Sequence, residues 1–234
     1  MTEKDTSIPD ANDDVYRVLP ADPRPRLEAR WEDNAWRHVP SLSIDRFRPE
    51  SSDHRPRTRA KLVADDQGLY GLFQVEDRYI RSVHTGFQAP VYKDSCVEFF
   101  VQPRPDRGYF NFEFNCGGAV LASYIVDPTR TVDGFKEYRP LAPEDGRRIR
   151  IAHSLPSVVD PEMVEKTTWS LAFQIPLDIL SAYVGPLRVG TGEVWRANFY
   201  KCGDETSHPH WAAWRPVDEL NFHVPRCFGQ LRFD

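Results

Sequence analysis

Residues Cys96 to Asn115 carry a clear two-faced pattern. Val97, Phe99 and Val101 alternate with Cys96, Glu98, Phe100 and Gln102. After a turn at Pro103–Gly108, Phe110, Phe112 and Phe114 alternate with Tyr109, Asn111, Glu113 and Asn115. Period-two alternation predicts strands with two unlike faces, and Pro103, Pro105, Asp106 and Gly108 supply the turn chemistry between them. The phenylalanine and valine face should enter a core. The opposite face carries Glu98, Asn111, Glu113 and Asn115, with Tyr92 in the parity of Glu98 if the strand reaches back that far. Should Gln102 pair with Tyr109, Glu98 falls directly opposite Glu113, with Cβ atoms roughly 5 Å apart. Like charges so placed destabilise a sheet. A cation, a nearby arginine, a shared proton or a polyhydroxylated ligand would each account for the pair. A register shifted by two residues would leave two solvated side chains instead.

The same reading predicts strands elsewhere. Val15–Leu19 reads as a first edge strand, and Thr58–Asp77 as a hairpin turning at Asp65-Asp66-Gln67-Gly68. Val120–Val126, Arg147–His153, Trp169–Ile175, Trp195–Tyr200 and Phe228–Phe233 follow. Arg78–Pro90, Asp127–Glu137 and Leu155–Lys166 read as loops, and Pro176–Leu180 as a single helical turn. Trp31 and Trp36 are expected as lids over one end of the fold. With no sustained helical period, the pattern predicts an all-β, two-sheet antiparallel β-sandwich of immunoglobulin-like or jelly-roll type, with at most one or two helical turns. Residues 15–234 form its single domain, and the polar, acidic residues 1–14 a disordered lead-in.

Composition narrows the function classes. Twelve per cent aromatic residues and 20 prolines suit β-structure with many loops. A net charge of −5 argues against a nucleic-acid surface, and no run approaches the ~18 apolar residues of a membrane helix. The opening stretch MTEKDTSIPDANDD lacks the basic and apolar regions of a secretory leader. The expected location is therefore cytoplasmic, or secreted if a leader has been removed. Cys96, Cys116, Cys202 and Cys227 show no CxxC pairing. Free buried thiols are expected, with Cys96 and Cys116 near enough on neighbouring strands to allow a disulfide.

Three stretches occur in a telling order: DSCVEFF at 94–100, YFNFEFN at 109–115 and WRANFY at 195–200. Trp169–Leu180 precedes the third, and FHVP at 222–225 with Phe228-Gly229 follows it. The ordered set resembles the family 9 carbohydrate-binding modules, which share their sandwich with DOMON-like sugar- and haem-binding domains. The resemblance covers about Trp31 to Phe233. It implies a non-catalytic module that clamps a terminal sugar of a glucan- or xylan-type saccharide between two aromatic rings. On that resemblance Tyr92 is one ring, Glu98 the acidic position, and Asn115 and Asn198 amides of the site. Tyr200, Trp211 and Trp214 are candidates for the second ring. It also implies association with a glycoside hydrolase and allows structural calcium, no cofactor being required.

The residues themselves suit a sugar. Apolar C–H faces stack on rings, and hydroxyls need planar donors and acceptors. Glu98, Glu113, Asn115, Arg196 and Asn198 share the non-core parity of their strands, and Arg196 is placed to pair with the glutamates. Three other readings compete. Glu98 and Glu113 could be a retaining glycosidase pair at about 5–5.5 Å. Haem binding as in DOMON-like relatives would call on Met163, in a predicted loop, and metal binding on the His208-Pro209-His210 segment. Last, the sandwich could be a protein-interaction module without a sugar site.

Overall fold

The computed structural model describes residues 14–234. The disordered lead-in expected for residues 1–14 therefore lies, except for Asp14, outside the described residues. In chain order the strands are β1 (Val15–Pro20), β2 (Leu42–Ile44), β3 (Arg46–Phe47), β4 (Arg57–Asp65), β5 (Gly68–Asp77), β6 (Ile80–Ser82), β7 (Cys96–Gln102) and β8 (Tyr109–Asn115). Then come β9 (Val120–Thr131), β10 (Gly134–Pro140), β11 (Arg150–His153), β12 (Val159–Met163), β13 (Thr167–Pro176), β14 (Val194–Cys202), β15 (Trp211–Ala213) and β16 (Gly229–Phe233). Two short helices, α1 (Pro143–Gly146) and α2 (Leu177–Val184), complete the regular elements with three 3-10 turns.

The strands form an all-β sandwich. One layer runs β10-β9-β8-β7-β14-β16-β1 and the other β1-β4-β5-β13-β11. β1 belongs to both: Val15–Val18 pair with β16, and Leu19 and Pro20 with β4. Both pairings are parallel, so β1 is an interior seam between the layers rather than the antiparallel edge strand expected from its short, proline-closed sequence.

The inner faces meet as the alternation requires. Phe99, Phe112 and Phe114 from the first layer pack with Phe73, Leu171 and Phe173 from the second, all fully buried. Phe173 stacks on Phe114 at 5.2 Å and Phe99 at 5.6 Å. Its ring lies against Gly71, where an added Cβ would sit 2.1 Å from the ring. The lack of a side chain at 71 is what admits the phenylalanine.

Neither outer face is simply solvated. Trp31, Trp36 and Val39 cover Val63, Tyr70 and Leu72 on the outside of the second layer. The indoles thus lie on a sheet face rather than over an end of the sandwich. On the first layer, Phe100, Tyr109, Tyr200, Cys96 and Cys202 are covered by Val217, Phe222, Val224 and Phe228. The 203–228 segment builds this second apolar cluster, which is why a face that reads half-polar in sequence is buried.

Three segments read as loops contain strands. β6 pairs with β12, placing Met163 in a strand. More consequential is 127–137: β9 runs on to Thr131, turns through Val132-Asp133 and returns as β10 from Gly134. Apolar alternation is lost there because the hairpin is largely exposed. The Asp133-Gly134 step at the turn was its only local signal.

Candidate functional site

The register places the expected pair face to face. Cys96 is opposite Asn115, Glu98 opposite Glu113 and Val101 opposite Phe110. On the other side of β7, Tyr200 pairs with Glu98 and Cys202 with Cys96. β9 adds Leu121 beside Glu113 and Ser123 beside Asn111. The outer face is therefore ruled in rows, one reading Tyr200–Glu98–Glu113–Leu121 and the next Asn198–Phe100–Asn111–Ser123.

Over the middle of these rows lies a cavity of about 890 Å³. Glu98, Glu113, Asn111 and Cys202 lie at its base, Tyr92 and Trp211 on one side, and Arg130, Phe135 and Tyr138 of the β9–β10 hairpin along another. Phe222 and His223 contribute from the covering segment. Phe135 reaches His223 at 4.4 Å between centroids, so the hairpin and the covering segment close on each other.

The two ring-bearing segments are tied together by Asp204. Tyr92 sits on a 3-10 turn, Val91–Lys93, rather than on an extension of β7. The Asp204 N–H donates to the Tyr92 carbonyl at 3.2 Å, and its carboxylate accepts from Trp211 Nε1 at 2.7 Å. Tyr92 remains 37% exposed.

Both glutamates are almost fully buried, Glu98 at 3% and Glu113 at 4% exposure. Glu98 Oε1 accepts from the Cys202 thiol at 3.1 Å, and Glu113 Oε1 from Asn111 Nδ2 at 2.7 Å. Glu113 Oε2 has no hydrogen-bond partner in the described chain. Burial, then Cys202 and Glu113, push Glu98 well above the usual carboxylate range. Burial raises Glu113 to about 7 against the opposing Asn111 hydrogen bond. His223, hydrogen-bonded at Nδ1 to the Tyr109 hydroxyl, is held down at about 3 by burial and by Arg130. The base of the cavity is thus a largely uncharged set of hydrogen-bonding groups between rings. A protonated carboxyl both donates and accepts, as a hydroxylated ligand requires.

The structure brings Tyr92, Glu98, Glu113 and Trp211 together at this cavity and places the other sequence candidates elsewhere. Asn115 is committed to the fold: Nδ2 donates to the His84 carbonyl and Asp94 Oδ2, while Oδ1 accepts from the Ala119 N–H. Asn198 is fully buried and clamps the Arg215 backbone through both ends of its amide. Tyr200 stacks on Phe222 at 4.1 Å and donates to its carbonyl. Trp214 packs into the inter-sheet core against Phe199. Arg196 is a correction to the expected ion pair: its guanidinium donates to the carbonyls of Arg226 and Phe228, two strand rows from the glutamates. Asn111, Asp204 and the hairpin side chains Arg130, Phe135 and Tyr138 were not singled out in sequence. Only Asn111, in the parity of Glu113, carried a signal.

The four cysteines are free thiols. Cys96 faces Cys202, while the Cys116 thiol donates to the Arg81 carbonyl. His210 uses both ring nitrogens, Nε2 toward Lys201 Nζ at 2.7 Å and Nδ1 toward the His208 carbonyl at 2.8 Å.

The sequence profile of carbohydrate-binding family 9 matches residues 35–233, most of the chain. The chain belongs to carbohydrate-binding family 9. No curated protein matches it in sequence. Among solved structures, a proposed carbohydrate-binding protein from Bacteroides uniformis ATCC 8492 superposes on this family 9 chain with a TM-score of 0.79 at 23% identity, over 94% of this chain and 99% of that one. A family 9 module from Caldicellulosiruptor kristjanssonii in complex with glucose gives 0.62 at 15%, over 93% and 95%. The complex of a family 9 module from that organism with cellotriose gives 0.59 at 16%, over 93% and 92%. These similarities establish a shared sandwich. This family 9 chain is a non-catalytic carbohydrate-binding module.

Proposed function

We propose that the cavity above Glu98 and Glu113 holds the terminal unit of a neutral glucan- or xylan-type saccharide. Tyr92 and Trp211 are its ring walls, and Glu98, Glu113 and Asn111 the partners of its hydroxyls. The observation that carries this reading is the buried pair itself: two opposed carboxyls, kept largely uncharged, at the base of an aromatic-walled cavity and with one oxygen unpartnered. Glucose and cellotriose in the C. kristjanssonii complexes support a glucan end as the first ligand to try. On the same reading the module serves a glycoside hydrolase by holding its polysaccharide, a pairing supported by family membership alone.

Isothermal titration against glucose, cellobiose, cellotriose and xylobiose tests the assignment. Saturable heat, with an affinity that falls roughly tenfold in Tyr92→Ala and is retained in an exposed control such as Val132→Ala, supports it. No heat from any of the four with folded protein refutes it.

A further inference from the structure

The register that opposes the glutamates also opposes two cysteines. Cys96 and Cys202 are partners across β7 and β14, and Glu98 follows Cys96 by two residues on the same face. The two Sγ atoms and a Glu98 carboxylate oxygen lie within 4.8 Å of one another. Cys96, Glu98 and Cys202 are exposed by 0, 3 and 1%, respectively. Glu98 and Cys202 both line the cavity, so the cluster is shielded from bulk water yet reachable from one side.

We infer that Cys96, Cys202 and Glu98 form a binding site for a thiophilic divalent cation of the Zn2+ type. Two thiolates and a carboxylate are a soft, three-ligand donor set. Metal–sulfur bonds of about 2.3 Å and metal–oxygen bonds of about 2.0–2.2 Å put tetrahedral ligand atoms roughly 3.3–3.8 Å apart, and Cys202 Sγ already lies 3.1 Å from Glu98 Oε1. The fourth position is left to a water or a saccharide hydroxyl from the cavity.

The charge balance is definite. Two thiols and the carboxylic acid lose three protons to solvent as the dication enters, leaving a net charge of −1 on the site. Lys201, fully buried and next in sequence to Cys202, donates to the Cys202 carbonyl at 2.9 Å and pairs with Asp77 at 3.7 Å, and its positive charge also favours the thiolate forms of Cys96 and Cys202. Without the ion, burial keeps both thiols neutral, Cys96 at about 12. The uncharged cluster is then compatible with an apolar surround.

The test uses the reduced, chelator-treated chain and Co2+ as an optical probe for Zn2+. The expected result is one Co2+ per chain, with thiolate-to-cobalt charge transfer and the visible bands of a tetrahedral ion. Both are displaced by Zn2+, lost in Cys96→Ser and in Cys202→Ser, and kept in Cys116→Ser and Cys227→Ser. A second measurement needs no variant. In the wild-type chain, Zn2+ should slow alkylation of Cys96 and Cys202 roughly tenfold, read peptide by peptide, while leaving Cys227 unaffected. Absence of the thiolate band in reduced, folded protein, or Zn2+ protection that spares Cys96 and Cys202, overturns the assignment. Neither readout depends on saccharide binding, so this site and the sugar site stand or fall separately.

Discussion

Glu98 and Glu113 face each other across β7 and β8, and among the described residues no lysine or arginine comes within ion-pair distance of either carboxyl. The fold tolerates the pair by burying it and raising both acids, not by pairing it with a basic side chain. For Glu113, a folded value of about 7 against an ordinary 4.5 means that the folded state prefers the protonated acid. Its contribution to stability is therefore intact below pH 4.5 and lost as pH rises through 7.

Glu113→Gln keeps the hydrogen bond from Asn111 and removes the titration. The variant should match wild type near pH 4 and exceed it by about 2–3 kcal/mol at pH 8, at 1.36 kcal/mol per unit. Urea unfolding at the two pH values measures this. Equal stability differences at both would show that the acid is not destabilised by its site. Saccharide affinity should fall in the same variant.

Asp204 links the turn that bears Tyr92 to the indole of Trp211. Tyr92→Ala and Trp211→Ala should each lower saccharide affinity roughly tenfold, the scale of one ring contact. Asp204→Ala should lower it about fivefold, since it frees the Trp211 indole from one hydrogen bond of about 1 kcal/mol. Titration calorimetry compares the three; an Asp204 variant with unchanged affinity would show that Trp211 needs no such tether.

Asn198 distinguishes a fold residue from a ligand residue. Its Oδ1 accepts from the Phe199 and Arg215 N–H groups and its Nδ2 donates to the Arg215 carbonyl. Asn198→Ala leaves these buried groups unpaired and should cost about 2–4 kcal/mol of stability. At a temperature where the variant is folded, saccharide affinity should change less than in Tyr92→Ala. A large affinity loss in a stable Asn198→Ala protein would reverse that assignment.

His210 gives the chain an acid-sensitive element. Burial, with Lys201 adding, holds its imidazole at about 3 against an ordinary 6.5. Between those values the unfolded chain binds a proton that the folded chain refuses. The stability it contributes is complete above pH 6.5 and declines as pH falls, by about 1.4 kcal/mol per unit. His210→Gln retains an acceptor for Lys201 without titrating. The stability advantage of wild type over the variant should therefore shrink by about 2 kcal/mol between pH 7 and pH 5. A constant difference in chemical denaturation would count against it.

The alternation along β7, β8, β13 and β14 determined a great deal. A side chain's face on a strand depends only on its position in the chain. The period therefore specified which phenylalanines enter the core, and the Pro103–Gly108 turn offered the register opposing Glu98 to Glu113, with a two-residue shift left open until the fold decided between them. Family 9 membership was legible for the same reason, because its motifs lie on these strands.

What the period cannot convey is what covers the outer face. Tyr200, Asn198 and Arg196 share the parity of Glu98, yet the 203–228 segment buries Tyr200 and takes the polar ends of the other two for its own backbone. The cavity's far wall comes from an exposed hairpin with little apolar pattern, and the Cys96–Cys202 pairing joins residues 106 positions apart in the chain. Faces follow from local backbone geometry and can be read along one strand. Coverings and cross-strand partners depend on where distant segments pack, and only the folded chain decided them.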